Sequence, residues 1–146
     1  MWLEVTATAC AGLFAGAAIY INAVEHPARL SCGNELAVRQ FRPSYERATV
    51  MQASLAVIGS VAGLLAALRH SDVQLAVAAL LLGGVVPFTL LVILPTNHGL
   101  VDPALDARSA EAARLLARWG RLHAVRSAAS AVAFGLFLVW LASHDP

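Results

Sequence analysis

Lysine is absent from this sequence, and only 13% of its residues are charged, so the positive charge rests on arginine and histidine. A chain of 146 residues with 59% hydrophobic content is too apolar for a soluble domain of that size. Cysteine is scarce as well. Cys10 falls inside an apolar run and Cys32 in a connection expected to face a reducing compartment, so neither a disulfide nor a redox pair follows. Also missing are the HExxH, CxxC and paired Glu-x-x-His patterns that mark metal sites in many helical proteins.

What the sequence does hold is four nearly uncharged runs, residues 5–24, 48–68, 73–94 and 122–142. Each is close to the roughly 20 residues that carry a helix across about 30 Å of hydrocarbon. Lipid offers backbone groups no partner, which leaves helices or closed barrels, and runs of Ala, Leu, Val and Gly without alternation are not barrel strands. The expected fold is all-α: one domain, residues 1–146, forming an integral membrane four-helix bundle with two amphipathic helical connections on one side. No basic residue precedes the first run, which also exceeds a signal-peptide core, so it is expected to stay as an anchor.

The arginines are unevenly placed. Arg29, Arg39, Arg42 and Arg47 follow the first run, Arg108, Arg114, Arg118 and Arg121 follow the third, and Arg69 sits in the short second connection. By the positive-inside rule, both long connections face the cytoplasm and both termini lie outside, with a bacterial inner membrane as the expected location. Charges flanking a membrane call for lipid as partner and for no nucleic acid.

Local signals divide the chain into two hairpins. A break is expected at Glu25-His26-Pro27, with Asn34 and Pro43 offering helix starts, and Pro95 is expected to end the third span. Asp102 and Pro103 read as the cap and first turn of a helix running into the fourth span. Gly12 and Gly16, and Gly59 and Gly63, form small faces on which helices can approach closely. Pro87 is expected to kink the third helix, which is ordinary in membrane helices or else opens a pocket.

The polar residues within the runs suggest a site. Trp119, His123, Arg126 and Ser130, spaced 4, 3 and 4 apart, share one face where the fourth span begins. An arginine so placed must snorkel, pair or face a wet cavity. Asn22 and His26 share a face at the end of the first span, and Asn97 stands just past the third. If the hairpins pack together, His26, Asn97, His123 and Arg126 lie near one membrane surface, with Tyr45 at the border of the same pocket. His98 has the simpler reading of facing water.

His26-Pro27, Pro95-Thr96-Asn97-x-x-Leu100 and Trp119-x-x-x-His123-x-x-Arg126 together resemble the anthrone oxygenase-like family, a likeness extending over nearly the whole chain. The resemblance implies a small four-helix membrane protein that oxidises an apolar aromatic substrate, anthrone-like or phenolic, with O2 and without a recognised cofactor. The resemblance carries Asn97, Trp119, His123 and Arg126 to this sequence. In the expected chemistry His123, or His26 in its place, removes a proton and Arg126 or Asn97 stabilises the resulting oxyanion. Trp119, Tyr45, Asn22 and Ser130 are the expected substrate contacts. Two other readings stay open: an accessory protein holding a lipid headgroup, a quinone or a partner, and a metalloenzyme with copper, iron or haem on His26, His123 and either Glu25 or His98. Self-association into a homo-oligomer is also left open.

Overall fold

The computed structural model describes residues 1–144, which are helical nearly throughout and contain no strand. Helix α1, Trp2–Tyr20, passes through a π-helical turn, Ile21–Glu25, into α2, His26–Ser31. The long α3, Asn34–His70, returns antiparallel to it, and Ser71 and Asp72 turn the chain into α4, Val73–Phe88. A second π-helical turn, Thr89–Ile93, leads into α5, Leu94–Val101, and α6, Ala110–Ser143, completes a four-helix bundle. Four continuous helical stretches, Trp2–Ser31, Asn34–His70, Val73–Val101 and Ala110–Ser143, are long and apolar enough to cross a membrane.

The boundaries differ from those expected, and proline chemistry explains most of the difference. Both π-helical turns end two residues before a proline, Pro27 and Pro95. A proline ring crowds the carbonyl four residues back and donates no hydrogen bond to it. A wider turn at that place relieves the conflict, so the helix continues past each proline instead of breaking. The chain breaks at Gly33 instead, where φ is +87°, a conformation open to glycine. Asn34 opens α3 without a side-chain cap, and Pro43 lies inside that helix. The connection from the first span to the second is thus an extension of the spanning helices around one tight turn.

Asp102 and Pro103 do not start a helix either. The Asp102 carboxylate accepts from Ala104 N at 2.8 Å, and Asp106 accepts from Arg108 N at 2.9 Å, so two local turns follow each other. Helix α6 begins at Ala110, with Ser109 Oγ accepting from Ala112 N at 3.1 Å. An Arg108–Glu35 ion pair at 2.7 Å places both turns at one end of the bundle.

Two apolar cores hold the helices. The larger is built on alanines of α1, α3, α4 and α6 around Phe14, Leu82 and Phe137. Gly59 and Gly63 permit its close contacts: a Cβ on Gly63 would stand 2.6 Å from Phe137 and 2.9 Å from Ala79, and one on Gly59 would stand 2.8 Å from Cys10. Gly16 meets no neighbouring atom within 4 Å, so the expected small face on α1 does not extend to it. The smaller core, near the two turns, joins Ile21, Phe41, Ile93, Leu100, Leu116 and Trp119.

At the opposite end, Glu4 is buried and bonded to His70 at 2.6 Å. Nearby, Asp72 caps α4 by accepting from Leu75 N at 3.0 Å, and its other oxygen accepts from Trp140 Nε1 at 2.9 Å. These bonds, the Leu75 amide foremost, hold the Asp72 carboxyl below the usual carboxylate range. Their stabilisation is therefore present above that range and lost as pH falls through the lowered value. Asp72→Ala is expected to lower stability in thermal melts by about 1–2 kcal/mol, combining a lost cap with an unpaired indole N–H. Acidification should erase the difference between the two proteins.

Candidate functional site

Between the two cores lies a cavity of about 140 Å³. One water needs roughly 10–15 Å³ of such space, so the cavity suits a small organic molecule. Every long helical stretch contributes to its wall: Phe14 and Ile21 from the first, Phe41, Tyr45 and Gln52 from α3, Val85, Thr89 and Asn97 from the third, and Trp119, His123 and Arg126 from α6. The π-helical turn after Pro87 supplies Thr89 and Leu90, and Leu94 follows it, so the disturbed part of the third span borders this space.

His123 is fixed within the wall by a bond that sets its tautomer. Asn22 Nδ2 donates to the carbonyl of Gly120 at 3.1 Å, and because that carbonyl can only accept, the amide orientation is determined. Asn22 Oδ1 then faces His123 Nδ1 at 2.7 Å and also accepts from Ser127 Oγ. An amide oxygen cannot donate, so Nδ1 carries the hydrogen. In the neutral ring Nε2 is left as the basic nitrogen, without a hydrogen-bond partner among the described residues.

Cations and donors complete the wall. Arg126 donates from Nη2 to Gln52 Oε1 at 2.8 Å, and its Cζ stands 5.4 Å from the Phe14 ring centroid. No carboxylate among the described residues forms an ion pair with it, and its buried Nε lacks a partner. Arg29, which is more deeply buried, is by contrast paired with Glu25, whose Oε1 further accepts from Gln40 at 3.0 Å and Ser44 at 2.7 Å. Trp119 Nε1 donates to Asn97 Oδ1 at 2.9 Å, which leaves the Asn97 NH2 group free of partners among the described residues.

The expected site residues separate into three groups. Asn97, Trp119, His123, Arg126 and Tyr45 line the cavity. Asn22 and His26 stand behind it: Asn22 holds His123, and the His26 ring packs against Gly120 and lies 5.1 Å from the Trp119 ring centroid. Glycine at position 120 lets the His26 ring pack this closely, since a Cβ there would stand 2.7 Å from His26 Nε2 and the ring would have to shift. Ser130 is buried and donates to the carbonyl of Ser127 at 3.1 Å, outside the cavity wall. His98 is exposed. Trp119 is 6% exposed and hydrogen-bonded inside the protein.

Arg29, Gln52, Ser44 and Ser127 did not stand out in the sequence. A signal existed for two of them: Gln52 is an amide within an apolar run, and Glu25 and Arg29 have the i, i+4 spacing of a helical ion pair.

The donor set for a metal is thin. No group of three or more His, Cys, Asp or Glu side chains suited to a metal ion occurs among the described residues. His123 and His26 flank Trp119, Glu25 is occupied by Arg29, Gln40 and Ser44, and His98 lies outside the cavity wall.

Residues 41–136 match the family model described as anthrone oxygenase. Among curated proteins, anthrone oxygenase tpcL of Aspergillus fumigatus is 32% identical over 135 residues, covering 85% of this chain and 83% of that relative. No solved structure matches the chain.

Proposed function

This chain belongs to the anthrone oxygenase family, and from that premise we propose that it is a membrane-embedded oxygenase acting on an anthrone-like or phenolic aromatic substrate with O2. The observation that carries the proposal is the pairing, on one cavity wall, of a histidine with a bare Nε2 and a half-buried guanidinium without a carboxylate. Proton removal needs the first, and the negative charge it creates needs the second.

An anthrone methylene lies between two aromatic rings opposite a carbonyl. His123 Nε2 takes one of its protons, and the remaining electron pair delocalises so that charge collects on the carbonyl oxygen. Arg126 and the Asn97 NH2 group stabilise that oxyanion. The electron-rich carbon forms a bond to O2, giving a peroxide anion that recovers the proton from His123. The second C–H bond then breaks, its electrons form the new C=O bond, and the O–O bond cleaves. Hydroxide leaves and takes the second proton through His123. The sum is CH2 plus O2 giving C=O plus H2O, with no electrons left over.

The arginines support an orientation with the site end of the bundle, bearing Arg39, Arg42, Arg47 and Arg108, at the cytoplasmic face. An apolar tricycle dissolves in lipid and reaches such a site without crossing water. The test uses purified protein in lipid nanodiscs with an anthrone, following oxygen uptake and quinone absorbance together. One O2 consumed per quinone, well above the uncatalysed rate, is the expected result. Co-purified lipid without any oxygen uptake would overturn the proposal in favour of a lipid-binding accessory protein.

A further inference from the structure

Beside the reaction cavity lies a second, more open hollow of about 370 Å³, on the flank of the bundle between α1 and α3. The two spaces share Ile21, Ser44 and Ala48 in their walls. We propose that this hollow is the lateral gateway through which a flat amphipathic aromatic enters from the membrane and the quinone leaves, with Ile21 and Ala48 as the partition. The proposal rests on the functional reading above, since it names the route to that same site.

Three observations support a passage here. First, the two walls run antiparallel: Glu25 accepts from Ser44, so residues earlier in α1 lie level with later ones in α3, and the hollow spans Ala17 to Glu25 on one side and Ser44 to Met51 on the other. At about 1.5 Å rise per residue, that gives a groove roughly 12 Å long, the scale of a linear tricycle. Second, its chemistry is graded along that length. Ala17, Tyr20 and Met51 mark one end, while Glu25 and Arg47 mark the other, matching a ring system with polar substituents at the lipid–water boundary. Third, the partition is thin and sits on irregular backbone. Ile21 opens the π-helical turn that precedes Pro27, and the facing Ala48 is small, so one isoleucine rotamer change alters the opening.

Met51 is 49% exposed, lines only the outer hollow and takes no part in the chemistry. A Met51→Cys protein in a Cys10→Ala, Cys32→Ser background therefore offers a place to obstruct the passage. The control is Val125→Cys in the same background, on α6 and 52% exposed, away from the hollow. Each protein is labelled with methyl methanethiosulfonate or with a bulky pyrenyl maleimide, and stopped-flow tryptophan quenching then follows anthraquinone binding and release. The bulky label at residue 51 is expected to slow both rates at least tenfold with little change in Kd, the small label to have little effect, and both labels at residue 125 to have none. Unaltered rates with the bulky label at residue 51, or no anthraquinone binding before labelling, would overturn the gateway. Gated binding without oxygen uptake from an anthrone would sink the oxygenase reading and leave the gateway standing.

Discussion

His123→Ala is expected to lower kcat for anthrone oxidation by about 10²–10⁴-fold, the usual worth of a positioned general base. The fold should survive, because Asn22 keeps its bond to Gly120 and still accepts from Ser127. Asn22→Ala is expected to fall between the wild type and His123→Ala: the imidazole stays, but nothing holds the hydrogen on Nδ1. The double variant separates two roles for Asn22. If it acts only by orienting His123, its loss costs nothing further once the imidazole is gone. Multiplying losses would instead put Asn22 in contact with the substrate, the role its sequence position suggests. Oxygen uptake at saturating anthrone is the measurement. Undiminished uptake by folded His123→Ala protein would remove it as the base.

Much of this arrangement was legible in the sequence because hydrophobic length and helical spacing are local properties. The four runs are nearly free of charge over the length a bilayer demands, and Trp119, His123 and Arg126 recur at intervals that keep them on one face of α6. Ser130 has the same spacing yet lies beyond the cavity, since periodicity gives a direction around the helix and not how far along it a pocket reaches. The prolines misled for a related reason. A proline forbids one hydrogen bond, and whether the chain breaks or widens into a π turn is decided by the packing around it. Arg29 was hidden by its company: counted with Arg39, Arg42 and Arg47 it reads as a cytoplasmic charge, but the helix continuing past Pro27 turns it inward onto Glu25. The contact of Asn22 with His123 joins residues 101 apart and has no sequence signature.

Substitutions at Arg126 should separate activity from stability. Arg126→Leu is expected to reduce kcat by about 10²–10³-fold through loss of oxyanion stabilisation. Stability should change little, because two terms oppose each other. An arginine within a membrane helix without a counter-charge costs about 2–3 kcal/mol, which the substitution relieves. Gln52, 3% exposed with its Nε2 already unpartnered, then loses its only donor, at a cost of about 1–3 kcal/mol. Removing both polar groups in Arg126→Leu/Gln52→Leu leaves an apolar wall and no orphaned amide, so the double variant should melt higher than the wild type while remaining inactive. An arginine that served as structural cement would give the reverse order, with the double variant the least stable of the three. On the proposed mechanism, a cation kept without a counter-charge beside a cavity is held there for a negative charge that arises only when a substrate is bound.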